Sequence, residues 1–549
     1  MPLPLAAPLV YTSKSKKEGG MNRYQMLLGS DAREPQAAPG WQIARLLPAS
    51  GLYGANGMIV GPDGRLYVTQ AFGSQITAVN VSSGSLEVVS PLGGPIVAPD
   101  DVAFDSHGTM YVTEVMSARV CARTPDGKVR IVADNLPGAN GITIHQDRVF
   151  IDEFRGGGRI FELYPYDGRA PRLIADGLRG PNALMVGPDG KLYFPLVPNG
   201  EVWRVDIETG VKEKVVDGLK SPPAVKFNRK GELIVPQAGT GEVVRIDIPS
   251  GAKTVIAKVR PGIDNFAFSP DNRMFISHFV DGGVAEVATD GSNTERVLVP
   301  GGLVGPWGLA CGSDGNLYLN DGLSMAVLSP TKQMRRLGGL LDNSFPGFVR
   351  SLAAGAPGEL WLTTIAGDVV QYFPDGRPFN MLIRKLKEPY GLARLNDGAV
   401  AVAEAGTGKL LRIDATGQAT TIAEGLSKPC EVVAAPDGAL FVSELGNKRV
   451  VKVEANGTVA PFADGLDKPK GLALRNGALL VLDRGLKELC AVDRKSSQSQ
   501  TLARNLPVGD PPNRSRGPMD FSGGLAVGQD GTIYIAADGE GSVLTLQSA

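Results

Sequence analysis

The sequence predicts an all-β protein made of two tandem six-bladed β-propellers, and three observations carry that prediction. One phrase recurs twelve times: a turn, an apolar run, a turn of the Asp-Gly kind and a second β-rich run, as in PNALMVGPDGKLYFPL and PCEVVAAPDGALFVSE. The copies start 40 to 44 residues apart, except for a last interval of 53. Two further β-runs complete each copy, and four short strands per repeat of this length are the sequence form of a propeller blade.

The composition agrees with this architecture and disfavours two classes of binding partner. The 71 Gly and 40 Pro make up about a fifth of the 549 residues, and turns between short strands require such residues. The chain is 43% apolar, so it can bury large cores, and its 56 basic and 57 acidic side chains nearly cancel. Binding to nucleic acid or to an anionic membrane needs a clustered basic surface. We therefore expect neither partner.

Compartment and cysteine chemistry follow from equally simple features. The chain has no run of roughly 18 to 20 apolar residues, as a membrane span requires, and its N-terminal MPLPLAAPLV is a poor secretory signal. A cytoplasmic location is the resulting expectation. The four cysteines lie far apart without a CxxC pair, which predicts buried thiols rather than a disulfide or zinc scaffold.

Twelve blades exceed the typical number of about four to eight in one propeller, so two rings of six are predicted. The expected domains are a flexible N-terminal extension (1–41), a first propeller (42–290) and a second propeller (291–549). Each ring is predicted to close by one strand plus three, which removes exposed sheet edges. In this scheme QIARLL, before the first full repeat, completes the sixth blade, and TERVLV, around Val297, completes the twelfth.

One position of the repeat is expected at the mouth of the central channel in every blade. The innermost strand of a blade starts at one end of the central channel, and we call the residue just before that strand's apolar run the rim slot. In the first ring the rim slots are Asn56, Asp100, Asn140, Asn182, Pro223 and Asp264. Five of these carry side-chain oxygens, which Ca²⁺ and Mg²⁺ prefer as ligands. This predicts a metal site, with turn capping by Asn and Asp as the alternative.

A second position, about 14 residues after each rim slot, is expected on the same face. In the first ring this second slot holds Gln70, Glu114, Glu153, Leu196, Gln237 and His278. Glu114, Glu153 and His278 are the candidate catalytic residues, and Gln70 and Gln237 are candidates for binding substrate. An imidazole titrates near neutrality, so His278 could act as a general base. The alternative is an ordinary hydrogen-bonded channel residue.

The rim slots of the second ring differ in chemistry. They include Trp307, Arg350, Tyr390 and Lys470, which offer aromatic and cationic groups. Such a set could bind an anionic or aromatic part of a substrate by stacking and ion pairing. It could equally form a structural plug.

The repeat motifs resemble known propellers. PNALMVGPDGKLYF and its relatives are similar to the superfamily of regucalcin, gluconolactonase and senescence marker protein. That resemblance implies a divalent cation, usually Ca²⁺, with Mg²⁺, Zn²⁺ and Mn²⁺ as alternatives, which polarises a lactone or ester carbonyl. Its implied ligands are Asn140, Asn182 and Asp264, followed by Asn56 and Asp100. The YVTE, FIDE and FVSE endings also resemble virginiamycin B lyase, which opens a cyclic depsipeptide by metal-assisted elimination.

These features predict a metal-dependent hydrolase of a lactone or ester, acting on a small-molecule substrate at the channel mouth of the first propeller. A lyase of the virginiamycin B type and a non-catalytic propeller of the NHL-repeat kind, binding a ligand or a protein, are the alternatives. The chain contains no GxSxG, HExxH or GxxxxGK[ST] motif, so serine hydrolases and nucleotide enzymes are disfavoured. Substrate identity and oligomeric state stay open.

Overall fold

Each sequence repeat folds as one antiparallel sheet. The computed structural model describes residues 32–339, 345–509 and 523–549, and within these ranges the strands form twelve sheets. The strand that follows the rim slot lies at one edge of its sheet, and the later strands of the repeat lie successively farther from it. The predicted all-β fold of tandem propellers is confirmed.

The N-terminal segment contributes β1 (Gln36–Ala37) and β2 (Trp41–Leu47), and six complete blades follow. Blades 1 to 3 consist of β3 (Met58–Val60), β4 (Leu66–Gln70), β5 (Gln75–Val79), β6 (Leu86–Ser90), β7 (Pro99–Phe104), β8 (Met110–Glu114), β9 (Arg119–Arg123), β10 (Val129–Ala133), β11 (Ala139–His145), β12 (Arg148–Glu153), β13 (Gly156–Leu163) and β14 (Arg172–Arg179). Blades 4 to 6 consist of β15 (Met185–Val186), β16 (Leu192–Leu196), β17 (Glu201–Val205), β18 (Lys212–Val216), β19 (Lys226–Phe227), β20 (Leu233–Pro236), β21 (Glu242–Ile246), β22 (Lys253–Lys258), β23 (Ile263–Phe268), β24 (Met274–His278), β25 (Val284–Val287) and β26 (Glu295–Val299).

The second half of the chain repeats this plan. Blades 7 to 9 consist of β27 (Pro306–Cys311), β28 (Leu317–Asp321), β29 (Ser324–Leu328), β30 (Met334–Gly339), β31 (Val349–Ala354), β32 (Leu360–Thr364), β33 (Val369–Tyr372), β34 (Asn380–Ile383), β35 (Pro389–Arg394), β36 (Val400–Glu404), β37 (Lys409–Ile413) and β38 (Ala419–Ala423). Blades 10 to 12 consist of β39 (Pro429–Ala434), β40 (Leu440–Glu444), β41 (Arg449–Val453), β42 (Val459–Ala463), β43 (Pro469–Arg475), β44 (Ala478–Asp483), β45 (Glu488–Asp493), β46 (Ser499–Arg504), β47 (Leu525–Val527), β48 (Ile533–Ala537) and β49 (Ser542–Ser548). A 3-10 turn lies at Val197–Asn199, and no helical segment in the described ranges is long and apolar enough to cross a membrane.

The second strand is the most buried strand of a blade, and in most blades it is buried along its whole length. All five residues are buried in LYVTQ of β4, MYVTE of β8 and LYLND of β28. Both faces of this strand are covered, so its sequence reads as a near-continuous apolar run. The fourth strand is more exposed, as in β10, where Ile131 is 53% exposed. The graded burial from inner to outer strands explains why the second β-run is the clearest part of the repeat.

The predicted exchange of closing strands is wrong. β26, which contains ERVLV, pairs with β25 in blade 6, and β2, which contains QIARLL, pairs with β49 in blade 12. The first propeller therefore builds every blade from one repeat, whereas the second is closed by one strand plus three. Both segments are short β-runs of the kind that ends a repeat, so their sequences alone do not select the partner.

This pairing also changes the domain assignment. The chain forms two compact units, one spanning Ser50–Val304 and the other formed by the described residues before Ser50 and from Gly305 onward. Residues 42–47 thus belong to the second propeller, and the boundary lies after Val304, because the hairpin of β25 and β26 spans the predicted boundary at 290. Residues 1–31 of the predicted extension lie outside the described residues. Within the rest of it, β1 pairs with β46.

Side chains fasten β2 to the second propeller. Arg45 donates two hydrogen bonds to Glu540, at 2.8 and 3.1 Å, and the Glu540 side chain is 2% exposed. The Arg475 guanidinium lies 4.7 Å from the Trp41 ring centroid. Bidentate ion pairs and cation–π contacts fix orientation as well as adding stability. β2 is therefore an integral strand of blade 12.

We predict that removing residues 1–47 opens blade 12 while removing residues 1–31 does not. Without β2, β49 becomes an edge strand and the ion pair of Glu540 with Arg45 is lost, so the amides of Ser542–Ser548 should exchange with deuterium at least about tenfold faster. Hydrogen-exchange mass spectrometry of both deletions tests this, with β3 to β26 as the internal reference. Unchanged protection of β49 in the longer deletion would contradict the assignment of β2.

Candidate functional site

The rim slots lie at irregular points of the inner ladders. The pairing register shifts between Pro99 and Val102 in blade 2, between Ala139 and Ile142 in blade 3, and between Ile263 and Phe266 in blade 6. A bulge of this kind re-aims the residues it contains and removes them from regular pairing. Asp100, Asn140 and Asp264 are thereby released from the sheet for contacts with other blades.

Hydroxyl groups connect consecutive rim slots. The residue that precedes the second slot donates to the rim-slot carbonyl of the next blade: Thr69 to Asp100, Thr113 to Asn140, and Ser277 to Asn56 at 2.7 Å. The last of these bonds joins blade 6 to blade 1. The Thr or Ser that the repeat carries there is thus a link between blades.

Polar side chains cross the channel just below the rim slots. Lys226 Nζ of blade 5 lies 3.0 Å from the Met58 carbonyl oxygen of blade 1, and Asn265 Nδ2 of blade 6 lies 3.3 Å from Asp101 Oδ1 of blade 2. Burial raises the pKa of Asp101 to about 6, and the Lys226 cation opposes that rise. Burial likewise lowers the pKa of Lys226. These contacts show that the inner strands of the first propeller converge on a common axis.

Two rim-slot carboxyl groups lie close enough to repel each other. Burial, followed by the charges of Asp264, Asp101 and Asp152, raises the pKa of Asp100 well above its ordinary range. Burial and the charge of Asp101 raise the pKa of Asp264 to about 7, against a hydrogen bond from the Asn56 side chain that lowers it. A buried carboxylate pair without a cation is costly. The site therefore favours binding of positive charge.

The amide rim slots contribute unequally. Asn140 is 7% exposed, and its Oδ1 is buried without a hydrogen-bond partner among the described residues. Asn182 Oδ1 accepts the Ala183 N–H at 2.8 Å, and Asn56 Oδ1 accepts the Ala71 N–H at 3.2 Å. Of these three amide oxygens, Asn140 Oδ1 is thus the one that accepts no hydrogen bond from the described residues.

This donor set fits a hard divalent cation. Two carboxylates and a buried amide oxygen are the ligand types that Ca²⁺, Mg²⁺ and Mn²⁺ take. In the described part of the chain, no group of three or more His, Cys, Asp or Glu side chains converges as metal ligands would. The five predicted ligands include only two residues of those types, so the rim-slot set stays a prediction.

A further buried carboxyl, Asp152, was not predicted from the sequence. Its Oδ1 accepts the Gly141 N–H at 3.1 Å, its Oδ2 has no partner in the described residues, and burial raises its pKa to about 8. Asp152 occupies the position that holds Thr69, Thr113 and Ser277 in other blades. The signal was present in FIDE, where an acid replaces a hydroxyl residue, but only the interblade bonds show what that position does.

The second slot has a shared structural role in both propellers. Its side chain accepts a backbone N–H from the loop that enters the same blade: Gln70 from Tyr53, Gln237 from Lys220, Asp321 from Gly305, Glu404 from Lys387, Glu444 from Ser427 and Asp483 from Asp467. The donor–acceptor distances run from 2.6 to 2.8 Å. These bonds use the oxygens of Gln70 and Gln237, the predicted substrate-binding residues, to tie the loop to the second strand.

The three predicted catalytic residues also have protein partners. Glu114 is fully buried and accepts a hydrogen bond from Arg119 Nε at 2.7 Å. Glu153 is fully buried and forms ion pairs with Arg155 and Arg159, with N···O distances of 2.8 and 2.6 Å. The oxygens of both carboxylates are therefore engaged by arginine side chains.

His278 is the exception among the three. Its Nε2 donates to the Arg260 carbonyl oxygen at 3.2 Å, while its Nδ1 has no partner among the described residues. Burial, then the Arg260 cation, lowers the pKa of His278 to about 4. The imidazole is therefore neutral at physiological pH.

In the second propeller, three predicted substrate-binding residues contact one another. The Arg350 guanidinium lies 4.4 Å from the Tyr390 ring centroid, and Lys470 Nζ lies 5.9 Å from the same centroid. Lys470 and Trp307 are each 3% exposed. Stacking of cations on an aromatic face stabilises such a cluster, and its burial favours the plug alternative.

The fold and the channel define a protein of two β-propellers whose first ring has an oxygen-rich channel mouth. A model of the virginiamycin B lyase family matches residues 211–482, which confirms the predicted resemblance to virginiamycin B lyase-like propellers. The match starts before β18 in blade 4 and ends in β44 in blade 11. It therefore follows the shared blade repeat and does not single out either propeller.

Solved structures with a similar fold include two of low identity. The calcium-binding protein regucalcin from Agrobacterium tumefaciens is 20% identical, with a TM-score of 0.35, and the match covers 42% of this chain and 84% of regucalcin. The extracellular domain of a proposed one-component system from B. thetaiotaomicron is 10% identical, with a TM-score of 0.32 and coverage of 92% and 82%. Comparison with curated proteins finds no match.

We predict that Glu444→Ala lowers the stability of the second propeller by about 3 kcal/mol, since it leaves the Ser427 N–H and the Arg449 guanidinium without their acceptor. Glu454→Ala is the matched control, because its partly exposed pair with Lys452 contributes at most about 1 kcal/mol. Urea unfolding, monitored by hydrogen exchange of the β40 amides, measures the effect of both substitutions. Equal effects of the two substitutions would contradict the structural role of the second slot.

We further predict that Asp100→Asn stabilises the protein when divalent cations are removed by a chelator. The substitution relieves repulsion with Asp264, and we expect the unfolding temperature of the first propeller to rise by about 2–4 °C at pH 8. The pKa of Asp264 in the folded protein, about 7, lies above its unfolded value, so the destabilising charge is lost as the pH falls. The gain should therefore shrink at pH 5.

Scanning calorimetry at the two pH values measures this effect. Asp206→Asn, which alters an exposed turn carboxylate that accepts the Thr209 N–H at 2.8 Å, is the control and should not stabilise. Destabilisation by Asp100→Asn would show that its carboxylate serves the turn.

Proposed function

We propose that the first propeller is a metal-dependent hydrolase of a lactone or ester, with its site at the rim slots. The observation that carries this proposal is the group of underused oxygens at one channel mouth. The charge of Asp264 raises the cost of ionising Asp100, burial and the charge of Asp101 do the same for Asp264, and Asn140 Oδ1 is buried without a donor among the described residues. Oxygens in this state gain most from a cation.

Asp100, Asp264 and Asn140 would hold the cation, with Asn56 and Asn182 beside them. Ca²⁺ is the first candidate, and Mg²⁺, Mn²⁺ and Zn²⁺ are alternatives. When bound, such a cation polarises a carbonyl oxygen and stabilises the negative charge that develops on it. Asn56 orients Asp264 through its side-chain amide.

The residues below the rim slots set the charge that the site presents. Lys226 offsets the nearby charge of Asp101, so Asp100 and Asp264 supply the negative charge that remains at the mouth. Two carboxylates match one divalent cation. Thr69 and Thr113 fix the backbone of the ligand-bearing bulges by their bonds to the Asp100 and Asn140 carbonyl groups.

For the proton acceptor we propose His278 Nδ1. Glu114 and Glu153 are occupied by arginines, whereas this ring nitrogen has no partner in the described residues and belongs to a neutral imidazole, the form that accepts a proton. His278 is paired in the ladder with Ile263, next to the rim slot Asp264. The substrate is a small molecule, and the cytoplasm is the proposed location.

Elimination is the second candidate reaction, because the match over residues 211–482 is to the virginiamycin B lyase family. The same channel mouth would then bind the ester carbonyl of a cyclic depsipeptide, and a base would remove a proton from carbon instead of activating water. The products separate the two reactions. Hydrolysis in ¹⁸O-labelled water labels the acid, whereas elimination leaves an unlabelled, unsaturated product.

We predict that the purified protein binds about one divalent cation per chain at the first propeller and, when loaded, opens members of a panel of lactones, aryl esters and cyclic depsipeptides. Asp264→Ala should lose the cation and at least about a hundredfold in kcat/KM. His278→Gln should retain the cation and lose about a hundredfold in kcat. Elemental analysis and product mass spectrometry measure these effects.

Asp206→Ala, in an exposed turn of the same propeller, is the control and should behave as wild type. A protein without stoichiometric cation, or an Asp264→Ala variant with full activity, would defeat the proposal. Full activity of His278→Gln alone would remove only the assigned proton acceptor.

A further inference from the structure

The channel of the second propeller contains a cavity of about 290 Å³. Inner strands line it, with contributions from Gly308 to Cys311, Ser351 to Ala354, Leu392 to Arg394 and Glu431 to Ala434. Its volume lies near the lower end of the range for small-molecule pockets. All of its lining residues belong to the second propeller.

The cavity arises from small residues at the channel-facing positions. The residues directly after the rim slots are Gly308, Ser351, Gly391, Glu431, Gly471 and Gly524. Those three after the rim slots are five alanines and one valine. At the same two positions the first propeller carries Asp101, Asn265 and Lys226, which cross its channel. Among these channel-facing positions of the second propeller, Glu431 has the only long polar side chain.

Glu431 is fixed but incompletely paired. Its backbone N–H donates to Ser443 Oγ at 2.9 Å, and its Oε1 accepts the Val432 N–H at 3.2 Å. No ion pair between described residues includes this carboxylate. Burial raises the pKa of Glu431 to about 8. An ammonium group placed against the carboxyl would replace the proton as its partner.

The two ends of the cavity differ. At the rim-slot end, Trp307, Cys430 and Lys470 are buried, so side chains occupy that end. At the opposite end, Arg394 lines the cavity and is exposed. Glu431 lies one residue after its rim slot and Arg394 four residues after its own. Three residues of an extended strand span about 10 Å.

From this arrangement we infer that the second propeller binds a slender, linear zwitterion in its channel, with an amine at Glu431, a carboxylate or similar anion at Arg394, and an unbranched carbon chain between them. The small residues leave room in the channel for a carbon chain between the two charged groups. The offset of about 10 Å between the two backbone positions along the strand direction favours a ligand whose charged ends lie about that far apart. This site is independent of the reaction proposed for the first propeller.

Isothermal titration calorimetry with ω-amino acids of increasing chain length tests the inference on the full chain. We expect ω-aminooctanoic acid to bind best, and ω-aminobutyric acid, octanoic acid and octylamine to bind at least about tenfold more weakly, because each lacks the length or one charged end. Glu431→Gln should weaken binding of ω-aminooctanoic acid at least about tenfold, and Arg394→Ala at least about threefold.

Two further variants locate the ligand. Ala353→Leu fills the channel and should abolish binding, whereas Arg377→Ala, which removes an exposed arginine elsewhere in the second propeller, should leave binding unchanged. Because Arg394 is exposed, its variant folds even if a channel variant does not. Failure of every zwitterion to bind, equal binding of octanoic acid or octylamine, or unchanged affinity in Glu431→Gln would each overturn the inference.

Discussion

Both faces of every blade must be covered, and this constraint governs the rest of the structure. A four-stranded sheet with two apolar faces is not stable alone, so each blade packs between two others around an axis. The fully buried second strands, such as LYVTQ in β4 and LYLND in β28, reflect that requirement. The same packing brings six inner strands together, so residues distant in sequence meet in a channel. Side chains from all six blades of a propeller therefore meet at its channel, where the inner strands lie closest together.

The repeat made the architecture predictable, because each copy encodes its own turns, strand order and burial. It could not decide which strand closes which ring, since QIARLL and ERVLV are both short β-runs that can serve as a fourth strand, and only their contacts tell them apart. The pairing of β2 with β49 depends on contacts such as Arg45 with Glu540, which are nearly the whole chain apart. Local pattern predicts local structure well and closure poorly.

The sequence predicted both the rim slots and the second slots as candidate site positions, and their chemical roles stay predictions. Asn and Asp before the inner strands indicated oxygen-rich chemistry because the second ring has different residues at the same turn. At the second slot the residue type alone does not separate two roles, because a buried acceptor of a backbone N–H is the same residue type as a catalytic acid. Glu404 and Glu444 show the structural use plainly. Asp152 escaped notice because its position became meaningful only once Thr69, Thr113 and Ser277 were seen to bond the next blade.

The position of β2 also imposes an order on folding. Arg45 and its partner Glu540 are 495 residues apart in sequence, so blade 12 cannot form before β49 has been synthesised. Ordering contacts between distant segments slows folding through the entropy of loop closure. The first propeller lessens this cost, since a hydrogen bond between the Ser50 N–H and the Leu303 carbonyl holds its two ends together. Once the first propeller has formed, the segment between β2 and β27 acts as a short loop. The entropy lost on pairing β2 with β49 is then smaller than for an unfolded segment of the same length.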